Sequence, residues 1–324
     1  MKLLVTGGAG YIGGTVVRLL VDAGHDVTVL DDLSTGHADV VPAGVPLHRM
    51  SVHQVGSVLT PAAGFEGVLH FAAKIAAGES VQFPERHFHT NVIGSLALLD
   101  AIRAAKVPRM VFSSTAAVYG NPLEVPITEN AVTAPTNPYG WTKLTVDAAI
   151  GAECTAHGLG AISLRYFNVA GALIPEHGEP LGERHDPETH LIPIALDVAA
   201  GKREKLQLFG DDYPTPDGTC VRDYIHVGDL AAAHLLALDA IEPNRHRVFN
   251  LGNGNGFSNQ QVVEVVRAVT GHPVPVEMAA RRAGDPAELV ASSARAATEL
   301  GWVPSRPDLH EIVSDAWTFY RSRA

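Results

Sequence analysis

The segment Thr6-Gly7-Gly8-Ala9-Gly10-Tyr11-Ile12-Gly13 limits what this chain can fold into more than any other. It follows the apolar run Leu3-Leu4-Val5 directly and leads into a helical pattern from about Tyr11 to Ala23. Glycines at 7, 10 and 13 allow a tight turn, let backbone approach a pyrophosphate, and let the helix pack close to the strand. The helix N-terminus then offers free N–H groups and a positive dipole end to phosphates. A glycine triplet alone also occurs in ordinary strand–helix turns, so context decides. The next apolar run, Val27-Thr28-Val29-Leu30, leads to Asp31, 18 residues after Gly13, with Asp32 beside it. A carboxylate there accepts hydrogen bonds from a ribose 2′-hydroxyl and repels a 2′-phosphate. No Arg or Lys lies between Asp31 and Asp39. The segment therefore predicts a dinucleotide site that takes NAD in preference to NADP.

Further short apolar runs stand at Gly67–Phe71, Met110–Phe112 and Ala161–Leu164, with helical or loop-rich stretches between them. Continuous apolar strands alternating with helices predict a parallel sheet covered on both faces. The fold class is α/β, a Rossmann-type doubly wound parallel sheet, joined to a smaller C-terminal α/β domain that holds the substrate. The division expected is residues 1–165 and 166–324. After Arg165 the chain becomes rich in Gly, Pro, His and Glu over residues 171–190, and residues 210–219 read as a loop. Helical patterns return at 229–241 and 259–270. Segments around Val221–Ala240 and Val248–Leu251 are expected to pack back onto the first domain.

Charge bears on partners. The chain has 324 residues, with 24 Lys+Arg against 35 Asp+Glu, a formal net charge of −11. Dense phosphates need a basic surplus, so nucleic acid is excluded as a partner. An apolar fraction of 46% excludes a disordered chain. Two cysteines, Cys154 and Cys220, allow at most one disulfide and point to a reducing compartment. No apolar run reaches the ~18 residues that a membrane span needs. Lys2 before Leu3-Leu4-Val5 has the look of a signal peptide, but the glycines interrupt any apolar core. The expectation is a soluble cytoplasmic protein.

Asn137-Pro138-Tyr139-Gly140-Trp141-Thr142-Lys143 reads as a helix start, with Asn137 at the N-cap and Pro138 at the first helical position. Tyr139 and Lys143 are then i and i+4 on one face. A tyrosine acting as a base near neutral pH must be favoured as phenolate by about 4 kcal/mol relative to a free one. The Lys143 ammonium and a bound cation are suited to supply this. The pair gains weight from Phe112-Ser113-Ser114-Thr115 upstream, a strand whose hydroxyls emerge at the ligand-binding edge of an open sheet. Thr115 is placed to share a proton with Tyr139. Other chemistries fail on spacing. His310-Glu311 lacks the second histidine of a zinc-protease helix, and neither a phosphate-binding loop ending in Gly-Lys-Ser/Thr nor a Gly-x-Ser-x-Gly elbow occurs. His185, Asp186, Glu188 and His190 read as a solvated loop, because their spacing matches no compact metal-ligand set.

These motifs resemble the extended short-chain dehydrogenase/reductase family, and the likeness runs end to end. It is carried by VTGGAGYIG (5–13), LDDLSTG (30–36), HFAA (70–73), GESV (78–81), TNVIGS (90–95), FSSTAAVYG (112–120), NPYGWTK (137–143), LRYFNVAGA (164–172), FGDDYPTPDGTCVRDYIHVGDLA (209–231), NLGNG (250–254) and RRAGD (281–285). The resemblance implies that Gly7, Gly10, Tyr11, Ile12 and Gly13 line the NAD pyrophosphate. It places Asp31, Asp32, Leu33, Ser34, Thr35 and Gly36 at the adenosine ribose. Phe71, Ala72, Ala73, Lys74, Asn91, Lys143 and Phe167 would surround the nicotinamide end. Thr115, Tyr139 and Lys143 would be catalytic. Asn168, His190, Leu191, Gln207, Phe209, Arg222, Arg282 and Asp285 would hold a UDP-sugar.

The chain departs from the family pattern in four places. Ser51 and Val52 stand where an Asp usually holds adenine. Lys74 comes one position early. His190 replaces a common Asn, and Leu289 falls near the position that gates N-acetyl groups. The activity implied is redox-neutral inversion at C4 of a UDP-hexose, interconverting UDP-galactose and UDP-glucose through a 4-keto sugar, as in galactose metabolism. Dehydration is disfavoured, because Ala116 and Ala117 follow Thr115 where dehydratases carry acids. Alternatives left open are a sugar-nucleotide dehydrogenase and an epimerase of UDP-N-acetylhexosamines. A non-catalytic binding protein on the same fold would be expected to lack Tyr139 or Lys143. A homodimer is implied through helices near 91–105 and 139–157.

Overall fold

Strand β1 (Lys2–Thr6) shows how the central sheet is buried on both faces. Leu3 and Val5 enter one apolar cluster and Leu4 the other, all three fully buried. The further strands of this sheet are β2 (Asp26–Asp31), β3 (Leu47–Arg49), β4 (Gly67–His70), β5 (Arg109–Thr115), β6 (Gly160–Tyr166) and β7 (His246–Leu251). Their order is β7-β6-β5-β4-β1-β2-β3, and every neighbouring pair is parallel. Parallel neighbours need long crossovers, which the intervening segments supply. The computed structural model describes residues 1–176, 178–282 and 285–323. Ala283 and Gly284 of the RRAGD segment lie outside the described residues.

The main helices are α1 (Tyr11–Asp22), α2 (Gly94–Ala105), α3 (Pro138–His157), α4 (Leu191–Ala199), α5 (Val227–Asp239), α6 (Asn259–Thr270) and α7 (Leu309–Ser322). Val16 and Leu20 of α1 and Leu230 and Ala237 of α5 share the cluster on one sheet face. Leu98 and Ile102 of α2 and Val146 and Ile150 of α3 share the cluster on the other. The doubly wound α/β sheet expected from the alternating runs is present.

After β6 the chain builds a second layer. Asn168–Ala170 pairs in parallel with Val221–His226. That strand also pairs antiparallel with Gly256–Ser258 and parallel with Glu288–Leu289. Ile192, Leu196, Val262, Val266 and Ile312 gather α4, α6 and α7 into a separate core. The return to the first layer is divided. β7 closes the main sheet beside β6, and α5 packs on the α1 face, whereas Val221–His226 stays with the second sheet.

A polar network runs under the catalytic edge of the sheet. Asp147 Oδ2 accepts from Ser114 Oγ at 3.1 Å and from Arg165 Nη2 at 3.2 Å. Arg165 Nη1 donates to Tyr119 Oη at 2.9 Å, and that hydroxyl donates to Asn250 Oδ1 at 2.7 Å. The four chain segments so joined are β5 with the turn after it, α3, β6 and β7.

Candidate active site

Strand order reverses between β1 and β4, and open α/β sheets bind ligands at such a point. Gly7 leaves β1 with φ +75, and a Cβ on it would lie 2.5 Å from Ala72 N and 2.7 Å from Phe71 C. A Cβ on Gly13 would lie 2.2 Å from Gly7 O. The ends of β1 and β4 and the start of α1 therefore meet backbone to backbone. Gly10 occupies the N-cap of α1 and gives it no side-chain cap, so the first-turn N–H groups have no side-chain acceptor. A Cβ there would meet only Gly7 O, at 3.4 Å. The cradle fits a pyrophosphate, and Gly7, Gly10, Tyr11, Ile12 and Gly13 would hold it. Gly7→Ala is expected to force the β1 and β4 ends apart at a cost of about 1–3 kcal/mol. Lost dinucleotide content and a lower melting temperature would check this.

Asp31 ends β2 and is buried. Its Oδ2 accepts from Ala9 N at 3.0 Å and its Oδ1 from Leu33 N at 2.8 Å. Burial raises its pKa, and those two N–H groups oppose the rise. Leu33 takes φ 59 to close this turn. A Cβ on Gly36 would press on Asp31 Oδ1 and Ala9 at 3.0 Å. Asp32, Ser34 and Thr35 are exposed beside it. Ser51 caps the turn Val52–Ser57, and Val52 is buried. Tyr11 Oη donates to Gly171 O at 2.7 Å, tying α1 to the second layer.

Phe71 and Ala72 donate their N–H groups to Thr6 O, and Ala73 and Lys74 follow. Asn91 has a task that the resemblance did not indicate. It lies in the π-helical turn Phe88–Ile93, which sequence periodicity does not reveal. Its Oδ1 accepts from Lys74 N at 2.7 Å, and its Nδ2 donates to Lys74 O and Thr142 Oγ1, both at 3.0 Å. Both amide hydrogens are thus engaged, and Asn91 positions the Lys74 loop against α3. Phe167 is buried with Ala116, Tyr119 and Ala291.

Helix α3 begins as its sequence predicts. Asn137 Oδ1 accepts from Gly140 N at 2.9 Å, and Pro138 takes the first turn. A Cβ on Gly140 would come 2.6 Å from Ala117 O, so α3 lies hard against the end of β5. This brings Tyr139 to Thr115. Thr115 Oγ1 accepts from Ala117 N at 3.1 Å, which leaves the threonine proton available. Burial pushes Tyr139 up to about 12, and the Thr115 hydroxyl pulls it the other way. Lys143 Nζ is buried and donates to Ser113 O at 2.7 Å. Burial lowers its pKa to about 8, against the pull of Asp147. Thr115, Tyr139 and Lys143 form one constellation at the carboxyl edge of β5. Sequence reasoning missed Asp147, although its signal was available as the next i+4 step after Lys143.

Several expected sugar-nucleotide residues gather in the second layer. The Arg282 guanidinium lies 4.9 Å from the Phe209 ring centre, and Arg282 Nε donates to Asp285 Oδ2 at 2.9 Å. Arg222 Nη1 donates to Val221 O and Pro286 O. Asn168 pairs with Tyr224, and Leu289 with Arg222. Gln207 is exposed and donates to Glu277 at 3.3 Å.

His190 occupies the N-cap of α4, just before Leu191. The loop before it is solvated in part, with Asp186, Thr189 and His190 exposed and Glu183, His185 and Glu188 half-buried. His185, Glu188 and His190 converge with Glu183, not Asp186, and their ligand-type atoms lie within 4.8 Å of one another. The backbone folds back on itself here, which residue spacing does not show. Burial opposes charge on the two imidazoles, but the carboxylates outweigh it and hold His185 at about 9 and His190 at about 10.

Comparison with known proteins shows the family. A match to the NAD dependent epimerase/dehydratase family spans residues 3–252. A UDP-glucose 4-epimerase from Corynebacterium glutamicum is 57% identical over 319 residues, 98% of this chain and 95% of that one. The structure of UDP-glucose 4-epimerase from Brucella ovis in complex with NAD is similar at a TM-score of 0.92 and 43% identity, covering 98% of both chains. That of the Bifidobacterium longum enzyme with NAD+ and UDP has a TM-score of 0.92 at 34% identity, covering 99% of this chain and 98% of that one. The family match takes in the glycine turn, the end of β5 and the start of α3, and the relatives are alike from end to end. The chain belongs to the NAD dependent epimerase/dehydratase family.

Proposed function

We propose that this protein interconverts UDP-galactose and UDP-glucose by redox-neutral inversion at C4, with NAD retained. The observation that carries the reading is the convergence of Thr115, Tyr139 and Lys143, with the uncharged Ala116 and Ala117 next to them. NAD, when bound, supplies reversible acceptance of hydride from C4. Tyr139 Oη takes the proton of the 4-hydroxyl and returns it, so no net acid or base is consumed. The Thr115 hydroxyl, its oxygen held by Ala117 N, donates along the same line. Lys143 contributes positive charge that favours the Tyr139 phenolate. Phe209, Arg222, Arg282 and Asp285 would hold the UDP moiety, because guanidinium groups pair well with diphosphate oxygens. Purified protein given UDP-galactose should yield UDP-glucose with no accumulation of NADH. Stoichiometric NADH would replace this reading with a dehydrogenase.

Lys143→Met is expected to slow turnover about 100-fold at neutral pH. The pH profile gives a sharper check. Phenolate becomes commoner as pH rises, while the Lys143 ammonium is lost above about 8. With the Tyr139 pKa above that of Lys143, wild-type activity should climb with pH and level off near 8. The Lys143→Met profile should keep climbing through that region, and a plateau at the same pH would assign it to another group.

The reading extends to a cytoplasmic homodimer. Phe88, Ile93, Leu96 and Trp141 are exposed apolar side chains on and beside α2 and α3. Both cysteines are free and buried, as suits a reducing compartment. Light scattering should give twice the 34.3 kDa chain mass, and a monomer would refute the dimer.

A further inference from the structure

Glu183, His185, Glu188 and His190 follow the pattern E-x-H-x-x-E-x-H between the short strand Leu181–Gly182 and α4. The side chains of Glu183 and Glu188 are only 9% and 10% exposed. Carboxylates this buried need a positive partner. Among the described residues neither forms an ion pair with Lys or Arg; their ionic partners are the two imidazoles, and Glu188 Oε1 also accepts from Thr189 N and His190 N. His190 Nδ1 is 2.7 Å from Glu183 Oε1 and 3.1 Å from Glu188 Oε1. His185 Nδ1 is 3.1 Å from Glu183 Oε1 and 3.7 Å from Glu188 Oε2.

A tetrahedral zinc site with bonds near 2.05 Å has ligand–ligand edges of about 3.3 Å, within the span of those separations. A second observation points the same way. His185 Nδ1 is buried, and despite these short distances it makes no hydrogen bond among the described residues. Carboxylate oxygens thus lie close to it without being aligned for a hydrogen bond. We propose that these four side chains form a binding site for one divalent transition-metal ion of the zinc class. Two imidazoles among the ligands favour such an ion over magnesium or calcium.

A set of four protein ligands is closed, so the site is structural. It would pin the loop before α4, which is already held from outside by Arg184 to Asp39 at 2.8 Å and by His37 to Arg184 O. On the reading proposed above, it would also neutralise two carboxylates beside the phosphate sites. Glu183 acts electrostatically on Tyr11 and on Tyr224, and Tyr224 also feels Arg222 and Arg282.

The test needs no substrate, so its outcome is separate from that of the epimerase reading. Full-length protein is stripped with a chelator, loaded with zinc or cobalt chloride, desalted and analysed for metal. One ion per chain and an intense visible cobalt spectrum of tetrahedral type are expected. His185→Gln and Glu188→Gln should each reduce retained metal at least tenfold with the far-ultraviolet spectrum unchanged. Substoichiometric metal in the wild type, an octahedral cobalt spectrum, or one ion per chain kept by His185→Gln would each overturn the site. Should the variants fail to fold, wild-type stoichiometry and the cobalt spectrum decide.

Discussion

Tyr139→Phe should lower turnover about 1,000-fold while the protein stays folded and keeps its dinucleotide. A loss of that size corresponds to about 4 kcal/mol of transition-state stabilisation. The ring survives the substitution, so the packing of α3 against the end of β5 is retained. That packing rests on Gly140 and on the Asn137 cap, neither of which touches the phenol oxygen. What disappears is the one group that can accept the 4-hydroxyl proton beside Thr115. The Thr115 hydroxyl is a far weaker base, and its oxygen already accepts from Ala117 N. Burial holds the free tyrosine protonated at neutral pH. Its task as a base therefore needs both the Lys143 charge and the bound cofactor. Turnover should be measured with UDP-galactose, and dinucleotide content by absorbance after denaturation. Activity within tenfold of wild type would move the base elsewhere. Loss of dinucleotide together with activity would make Tyr139 a binding residue.

The parts of this site that are legible in the sequence are those set by neighbours along the chain. Gly7 and Gly13 announce a strand–turn–helix because glycine alone tolerates the approach distances found there, and Gly10 leaves the helix N-terminus open between them. Asn137 and Pro138 announce a helix start, which puts Tyr139 and Lys143 on one face whatever the rest of the fold does. Alternating apolar runs gave the parallel sheet, yet the closing of that sheet by β7 beside β6 depends on pairing across some 80 residues. The resemblance points to Asn91, but its partners are set by the π-helical turn, which has no period to read. The convergence of Glu183 with His185, Glu188 and His190 is not legible for a related reason. Ligand spacing along a chain predicts convergence only where the backbone is a helix or strand, and this segment is a loop. Asp147 is legible only as the i+4 neighbour of Lys143, because its main partner, Arg165, lies far along the chain on β6.

Asp147→Ala is expected to destabilise the fold by about 3–5 kcal/mol, since it strands a buried guanidinium. Arg165 and Asp147 have side chains only 7% and 5% exposed. An ion pair on the surface would be worth at most about 1 kcal/mol, so burial decides the size. The pair is also imperfectly satisfied. Asp147 Oδ1 and Arg165 Nε have no hydrogen-bond partner among the described residues. Its removal as a unit should therefore cost much less than the loss of one partner. The double variant Asp147→Leu with Arg165→Met is expected to recover most of the lost stability. Urea unfolding of the three proteins measures this. A single-variant cost under 1 kcal/mol would show that water reaches Arg165. The same carboxylate also acts on the chemistry. Asp147 raises the pKa of Lys143 against the lowering by burial. Without it, the ammonium is lost at lower pH. The plateau in the activity profile of Asp147→Ala should then begin below the wild-type position near 8, at a temperature where both proteins are folded. A plateau left in place, with stability reduced, would confine Asp147 to the packing of α3.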